Sequence, residues 1–186
     1  MWVNDLEIRR YCRKGCTKMS FKEVAIEELS FNPFTKIGKE WMLITAGDAQ
    51  KHNTMTASWG GVGVMWGKNV VTAYIRPQRY TKEFVDNNEL FTISFYEESY
   101  RNALSICGKK SGRDCDKEAE AGLTPYYVDG TTAFEEASLI FVCRKQYHQA
   151  ICPEGFDVKE NDEKCYPGKD YHMMYIAEIE KVLVRE

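Results

Sequence analysis

Residues 53–81 read NTMTASWGGVGVMWGKNVVTAYIRPQRYT, running from Asn53 to Thr81. Thr54, Thr56 and Ser58 alternate with Met55, Ala57 and Trp59, the two-residue period of a β-strand. Gly60, Gly61 and Gly63 follow, and glycines let main chain approach a ligand closely. Val70–Ile75 is β-branched and aromatic and is stopped by Pro77, with Gly67-Lys68-Asn69 reading as a hairpin loop before it. Hydroxyls, glycines, two tryptophans and two arginines in so short a span suit a flat, amphipathic, phosphorylated ligand.

An extended backbone can pair with the donor and acceptor edge of a heteroaromatic ring, and Asn53 can both donate and accept. The faces of such a ring want aromatic or aliphatic contacts. Arg76 and Arg79 bracket the strand end, and a helix is predicted from Tyr80-Thr81, so an arginine fork beside a helix N-terminus would make an anion site. The Thr81 hydroxyl would add a donor. These are the needs of flavin mononucleotide (FMN). Each feature also has a plainer reading. A Thr/Ser face is commonly just solvated, arginines near a helix start commonly sit on the surface, and Trp59 and Trp66 would ordinarily be core. Gly61-x-Gly63-x-x-x-Gly67 has the wrong spacing for a dinucleotide fingerprint, and a strand rather than a helix follows it.

Outward from this stretch, the chain of 186 residues is 44% hydrophobic, enough for one domain with a full core. A net charge of −3 gives no basis for nucleic-acid binding, and no run approaches the length of a membrane span. The seven cysteines show no zinc-type spacing, so no metal site is expected. With no apolar signal segment, free thiols in a reducing cytoplasm are the expectation, against which stands a Cys152–Cys165 disulfide. Residues 1–18, with five basic and two acidic side chains, are read as an N-terminal extension, disordered or preceding the true start, before a single domain over 19–186.

Apolar or alternating runs at Glu40–Gly47, Thr54–Trp59, Val70–Ile75, Leu90–Tyr96, Leu139–Gln146 and Met174–Val184 predict strands. Asn32-Pro33 signals a turn, Tyr80–Asn88 and Ser99–Ile106 read as helices, and Asp114–Ala121 reads as a charged helical turn closed by Gly122. Ile151–Asp170 reads as a loop. The absence of βαβ alternation predicts a mainly β fold with helical insertions, an antiparallel barrel.

Asn53-Thr54-Met55-Thr56-Ala57-Ser58-Trp59-Gly60, followed by Arg76-Pro77-Gln78-Arg79-Tyr80-Thr81, resembles the flavin reductase-like family, which includes flavoredoxin. The resemblance covers Phe31 to Val184 and implies a six-stranded antiparallel split β-barrel, a homodimer, with FMN in a groove near the subunit interface. By position, Asn53, Thr54, Met55, Thr56, Ala57, Ser58 and Trp59 would line the ring and ribityl chain. Arg76, Arg79 and Thr81 would meet the phosphate, with Tyr80 close by. Cys107–Arg113 resembles the family's loop near the flavin, which makes Lys109 and Ser111 further candidates, although a solvated Gly-Lys turn explains them equally well. His172 falls where the family tends to have a histidine ahead of its last strand; over the flavin it would shape substrate or proton access, as a catalytic candidate, and a loop histidine bonded to a carbonyl is the alternative. His52 and His148 are read as structural. The extension over 1–18 and the cysteine-bearing loop 152–165 depart from the family.

The implied activity is an NADH- or NADPH-dependent flavin reductase that passes a hydride through flavin N5 to a small-molecule acceptor. The alternative is a flavoredoxin-like electron carrier reduced by a redox protein partner. A third reading, a split barrel holding haem or a deazaflavin, is weaker.

Overall fold

The computed structural model describes residues 20–186, so the reading of residues 1–18 and of Cys12 and Cys16 lies outside the described residues. Strand β1 (Phe21–Glu23) is followed by a helical turn α1 (Pro33–Thr35) that runs into a π turn over Lys36–Glu40. Asn32 caps α1, its side-chain oxygen accepting from the amides of Phe34 and Thr35 with Pro33 at the first position. The apolar run 40–47 forms β2 (Met42–Gly47), buried at every position, and β3 (His52–Ala57) returns beside it. Asp48 closes the turn between them by accepting from the Gln50 and Lys51 amides at 2.9 and 3.1 Å.

β4 (Gly60–Met65) and β5 (Lys68–Ile75) form a tight hairpin. Its two loop residues, Trp66 and Gly67, both have positive φ (56° and 69°), the requirement of a type I′ turn. The chain continues through α2 (Tyr80–Asn87), β6 (Leu90–Phe95), α3 (Arg101–Lys109), α4 (Lys117–Ala121), a small hairpin β7 (Pro125–Val128) and β8 (Thr131–Phe134), the long β9 (Leu139–Ala150), α5 (Lys159–Cys165) and β10 (Met173–Arg185). Asp116 caps α4 through the Ala119 amide, and Gly122 ends it in the left-handed conformation.

The main sheet is antiparallel in the order β3-β2-β6-β9-β10-β5-β4, with β1 added on β10. The strands expected from the sequence, β2, β3, β5, β6, β9 and β10, are a contiguous run within it. The ends of the sheet are β3 and β4, consecutive in the chain and separated only by Ser58 and Trp59. The sheet is therefore an open barrel whose split lies at those two residues.

Alternation places two cores on its two faces. Ile44, Met55, Val71, Ile75, Phe91, Phe95 and Phe141 fill one, where the Phe95 and Phe141 rings meet edge to face at 5.6 Å and Phe31 packs on both. Their strand neighbours Leu43 and Ile140 pack on the other with Ala103, Leu104, Cys107 and Phe134, beneath α3 and the β7–β8 hairpin. No helix among the described residues is long and apolar enough to cross a membrane.

Two readings are corrected, the 67–69 loop and the 151–170 loop, and two alternatives are set aside, core tryptophans and the Cys152–Cys165 disulfide. The loop expected at 67–69 is instead the two-residue turn Trp66-Gly67, because an additional strand, β4, pairs with β5. Trp59 and Trp66 are exposed, at 45% and 56%, since one bridges the split and the other sits at a hairpin tip. The segment 151–170 holds a 3₁₀ turn (Pro153–Gly155) and α5, and its base is closed by the Ile151 amide donating to the His172 carbonyl at 2.9 Å. Cys152 and Cys165 are both free thiols, as are Cys107, Cys115 and Cys143.

Phe141 is 1% exposed at the centre of the first core. Phe141→Ala is expected to lower unfolding stability by about 3–5 kcal/mol in urea titration monitored by far-UV circular dichroism.

Candidate cofactor-binding site

Three adjoining hollows run along β3 as one groove. A cationic hollow of about 310 Å³ is lined by Met55, Arg79, Thr81, Lys109, Ser111 and Lys117, with Gln78, Tyr80 and Lys110 at its rim. A middle hollow of about 280 Å³ takes in Met55, Thr56, Ala57, Ser58 and Trp59 with Tyr74, Arg76, Arg79 and His172. An apolar hollow of about 560 Å³ lies beyond the split, walled by Phe34, Ile37, Trp59, Val62, Tyr74 and Tyr166. Met55 and Arg79 belong to the first two, and Ser58 does not separate but joins the second and third, together with Trp59 and Tyr74.

The cationic end is assembled from β3, the start of α2 and the end of α3. Buried Asn53 is a strut: its Nδ2 donates to Thr81 Oγ1 at 2.7 Å and to the Thr54 carbonyl at 3.2 Å. Gly112 packs against the same side chain, and a Cβ there would lie 2.0 Å from Asn53 Oδ1. Thr81 Oγ1 accepts from Asn53, so its own hydrogen is available to a ligand. Arg79 donates to the Gly108 carbonyl at 2.9 Å. Lys117 is 4% exposed, with Nζ 3.3 Å from the carbonyls of Cys107 and Lys110 at the C-terminal end of α3. Neither Arg79 nor Lys117 has a carboxylate partner among the described residues, while Lys110 pairs with Glu120 and Arg113 with Glu83. Burial lowers the Lys117 pKa from the usual lysine value, the cost of an ammonium surrounded by neutral acceptors. The Tyr80 ring is fixed between Arg113 (4.5 Å) and Phe84 (5.0 Å), and Ser111 Oγ accepts from the Arg113 amide.

In the middle hollow the β3 side chains diverge. Thr54 turns inward, its hydroxyl 2.8 Å from that of Thr45 and donating to the Ile44 carbonyl, so only its backbone faces the groove side of the strand. The Thr56 hydroxyl donates to the Leu104 carbonyl and ties β3 to α3. Ser58 is exposed at the split. Arg76 does not reach the cationic hollow: it pairs with Asp170 at 2.6 Å, donates to the Cys165 carbonyl at 2.9 Å and lies over the Tyr166 ring. Gln78 bonds the other Asp170 oxygen at 2.7 Å. These contacts clasp the 151–172 excursion to the end of β5.

His172 is 9% exposed, with Nδ1 2.8 Å from the Tyr166 hydroxyl and its ring 5.0 Å from that of Trp59. Burial, with Arg76 adding its charge, pulls the imidazole down to about 4. The other two described histidines serve the scaffold. His52 bridges the Asp48 carbonyl and Glu118, which raises its pKa, and His148 stacks on Tyr175.

Sequence reading missed Lys117, Tyr74 and Tyr166. Lys117 sits in a charged run that resembles a solvated turn, and only the packing of α4 under α3 buries it. Tyr166 sits in what reads as a loop. The arrangement offers an anion site at one end, an apolar, aromatic wall at the other, and between them a strand that among the described residues has a sheet partner on one side only.

Because the folded state keeps His172 neutral down to about pH 4 while the unfolded chain protonates near 6.5, folding loses stability as pH falls through that window. Comparing urea midpoints at pH 4.5 and pH 7, His172→Gln is expected to lose less stability on acidification than the wild type.

The flavin reductase like domain matches residues 34–186. No characterised protein matches at the sequence level. Among solved structures, an FMN-binding domain of a flavin reductases-like enzyme from Shewanella baltica OS155 superposes with a TM-score of 0.65 at 15% identity, covering 91% of this chain and 79% of that one. Flavoredoxin of Desulfovibrio vulgaris (Miyazaki F) gives 0.61 at 20% identity, covering 88% and 76%. An FMN-binding protein from Thermus thermophilus, solved with 1-cyclohex-2-enone, gives 0.60 at 16% identity, covering 87% and 79%. At these identities the structures report the fold, a split barrel, and with the domain match over most of its length the chain belongs to the flavin reductase-like family.

Proposed function

We propose that this chain binds FMN along β3 and acts as an oxidoreductase, an NADH- or NADPH-dependent flavin reductase. The observation that carries the reading is the pair Arg79 and Lys117, two cations without a carboxylate partner among the described residues, at one end of a groove whose other end is apolar. The residues fit the cofactor: Arg79, Lys117 and Thr81 suit a phosphate, the unpaired edge of β3 suits the polar edge of the ring, and Trp59, Tyr74 and Met55 suit its faces. Lys109 and Ser111 close the phosphate end. Arg76 serves instead to hold the 151–172 excursion over the middle hollow.

Bound FMN supplies the capacity to accept and return a hydride. The chain positions it and excludes water. Tyr166 and Trp59 wall the apolar hollow, where a nicotinamide or acceptor ring would lie against the cofactor. His172, neutral at working pH, offers a hydrogen bond without adding charge. A second copy of the chain would cover the exposed Trp66 and Tyr147, whose rings meet at 6.5 Å beside the β4–β5 hairpin tip. The alternative of an electron carrier fed by a redox protein draws on the likeness to flavoredoxin.

Anaerobic titration of the FMN-loaded chain with NADH and then NADPH separates these. Prompt bleaching of the flavin band by one of them is the expected result; a yellow protein indifferent to both favours the carrier. Arg79→Ala is expected to weaken FMN binding by about 1.5–3 kcal/mol, a ten- to hundredfold rise in Kd by fluorescence quenching. Arg76→Ala is expected to cost less, because its guanidinium is engaged with Asp170 and Cys165.

A further inference from the structure

Tyr166 and His172 lie at either end of the short return from α5 to β10, and both are buried. Tyr166 is held in place on several sides: the Arg76 guanidinium is 5.1 Å from its ring centroid, the Tyr171 ring 5.0 Å and the Phe156 ring 5.9 Å. Its hydroxyl has one side-chain hydrogen-bond partner among the described residues, Nδ1 of His172 at 2.8 Å. On the far side of that imidazole, Nε2 has no partner among the described residues, and the ring borders the middle hollow.

A neutral imidazole carries one hydrogen and offers one acceptor nitrogen. If the hydrogen sat on Nδ1, the phenol oxygen would accept it and the phenol's own hydrogen would be left buried without an acceptor. A buried donor orphaned in this way is unfavourable. If the phenol donates to Nδ1, no buried hydrogen is wasted and Nε2 carries the N–H.

We infer that Tyr166 is a positioning residue: by donating its hydroxyl hydrogen to Nδ1 of His172 it fixes the tautomer that turns Nε2–H toward the ligand in the middle hollow. The complementary group is a neutral acceptor, a carbonyl or imine-type nitrogen on the polar edge of the bound ring. Its identity as flavin rests on the function proposed above; the tautomer does not. Burial of His172 keeps this donor uncharged through neutral pH. Arg76 completes the device, since the same guanidinium that binds Asp170 also packs on Tyr166. The excursion thus acts on the site through one hydrogen bond.

Nitrogen-15 NMR of the full chain labelled at histidine, without cofactor, reads the tautomer directly, and His172→Gln assigns the signal. The expected result is the Nε2–H form in the wild type and a shift toward a tautomer mixture in Tyr166→Phe. With FMN, Tyr166→Phe and His172→Gln are each expected to raise Kd by about three- to tenfold, and the double variant no further. A more negative flavin midpoint potential in Tyr166→Phe is also expected, because a donor at the ring edge favours the more negative, reduced form. An Nδ1–H signal in the wild type, an unchanged signal in Tyr166→Phe, or additive losses in the double variant would overturn the inference. Should Tyr166→Phe fail to fold, the wild-type tautomer decides alone. A wild-type chain that shows the Nε2–H tautomer yet takes up no FMN would overturn the flavin reading and leave the Tyr166 assignment standing.

Discussion

Among the described residues β3 has a sheet neighbour on one side only, and the rest of the site is arranged around that fact. Backbone N–H and C=O groups need partners, and an unpaired edge inside a groove is costly unless water or a ligand supplies them. Here the edge is flanked rather than covered. Asn53 ties its start to the first turn of α2, and Thr56 ties its end to α3. Both side chains are consumed in fastening the strand to the helices packed against it.

The charges are sorted along the same groove. Arg76 and Arg79 are near neighbours in sequence, yet one is neutralised by Asp170 and the other is left facing the cationic hollow beside Lys117. A desolvated ammonium whose hydrogen-bond partners among the described residues are two carbonyls at 3.3 Å is poorly compensated, so an anion arriving there would improve its balance. At the far end the walls are apolar. A ligand that is anionic at one end and flat at the other satisfies both.

Much of this was legible in the residues. The period-two runs and their turn signals located the strands of the barrel, and the order of Asn53–Trp59 and Arg76–Thr81 located the groove. What escaped was set by long-range packing. β4 was hidden because Gly60–Met65 carries no polar alternation and its partner β5 lies across a turn. Trp66 reads as core by composition, and only the left-handed turn places it at a tip. Thr54 and Thr56 look equivalent along a strand, but one hydroxyl pairs with Thr45 and the other with Leu104. Arg76 looks like Arg79 until Asp170, far along the chain, is brought to it. Lys117 needs α3 above it to become buried.

The pairing order also bears on when the site comes into existence. β2 with β3 and β4 with β5 are local hairpins that close short loops, whereas β5 meets β10 only after the chain has run past residue 172. Contacts of such separation form late, after the loop-closure entropy has been met. The two walls of the groove therefore belong to early-forming units, but the middle hollow is finished only when β10 docks and carries His172 into it. A cofactor bound in the completed groove would add stability in proportion to the logarithm of its free concentration over Kd.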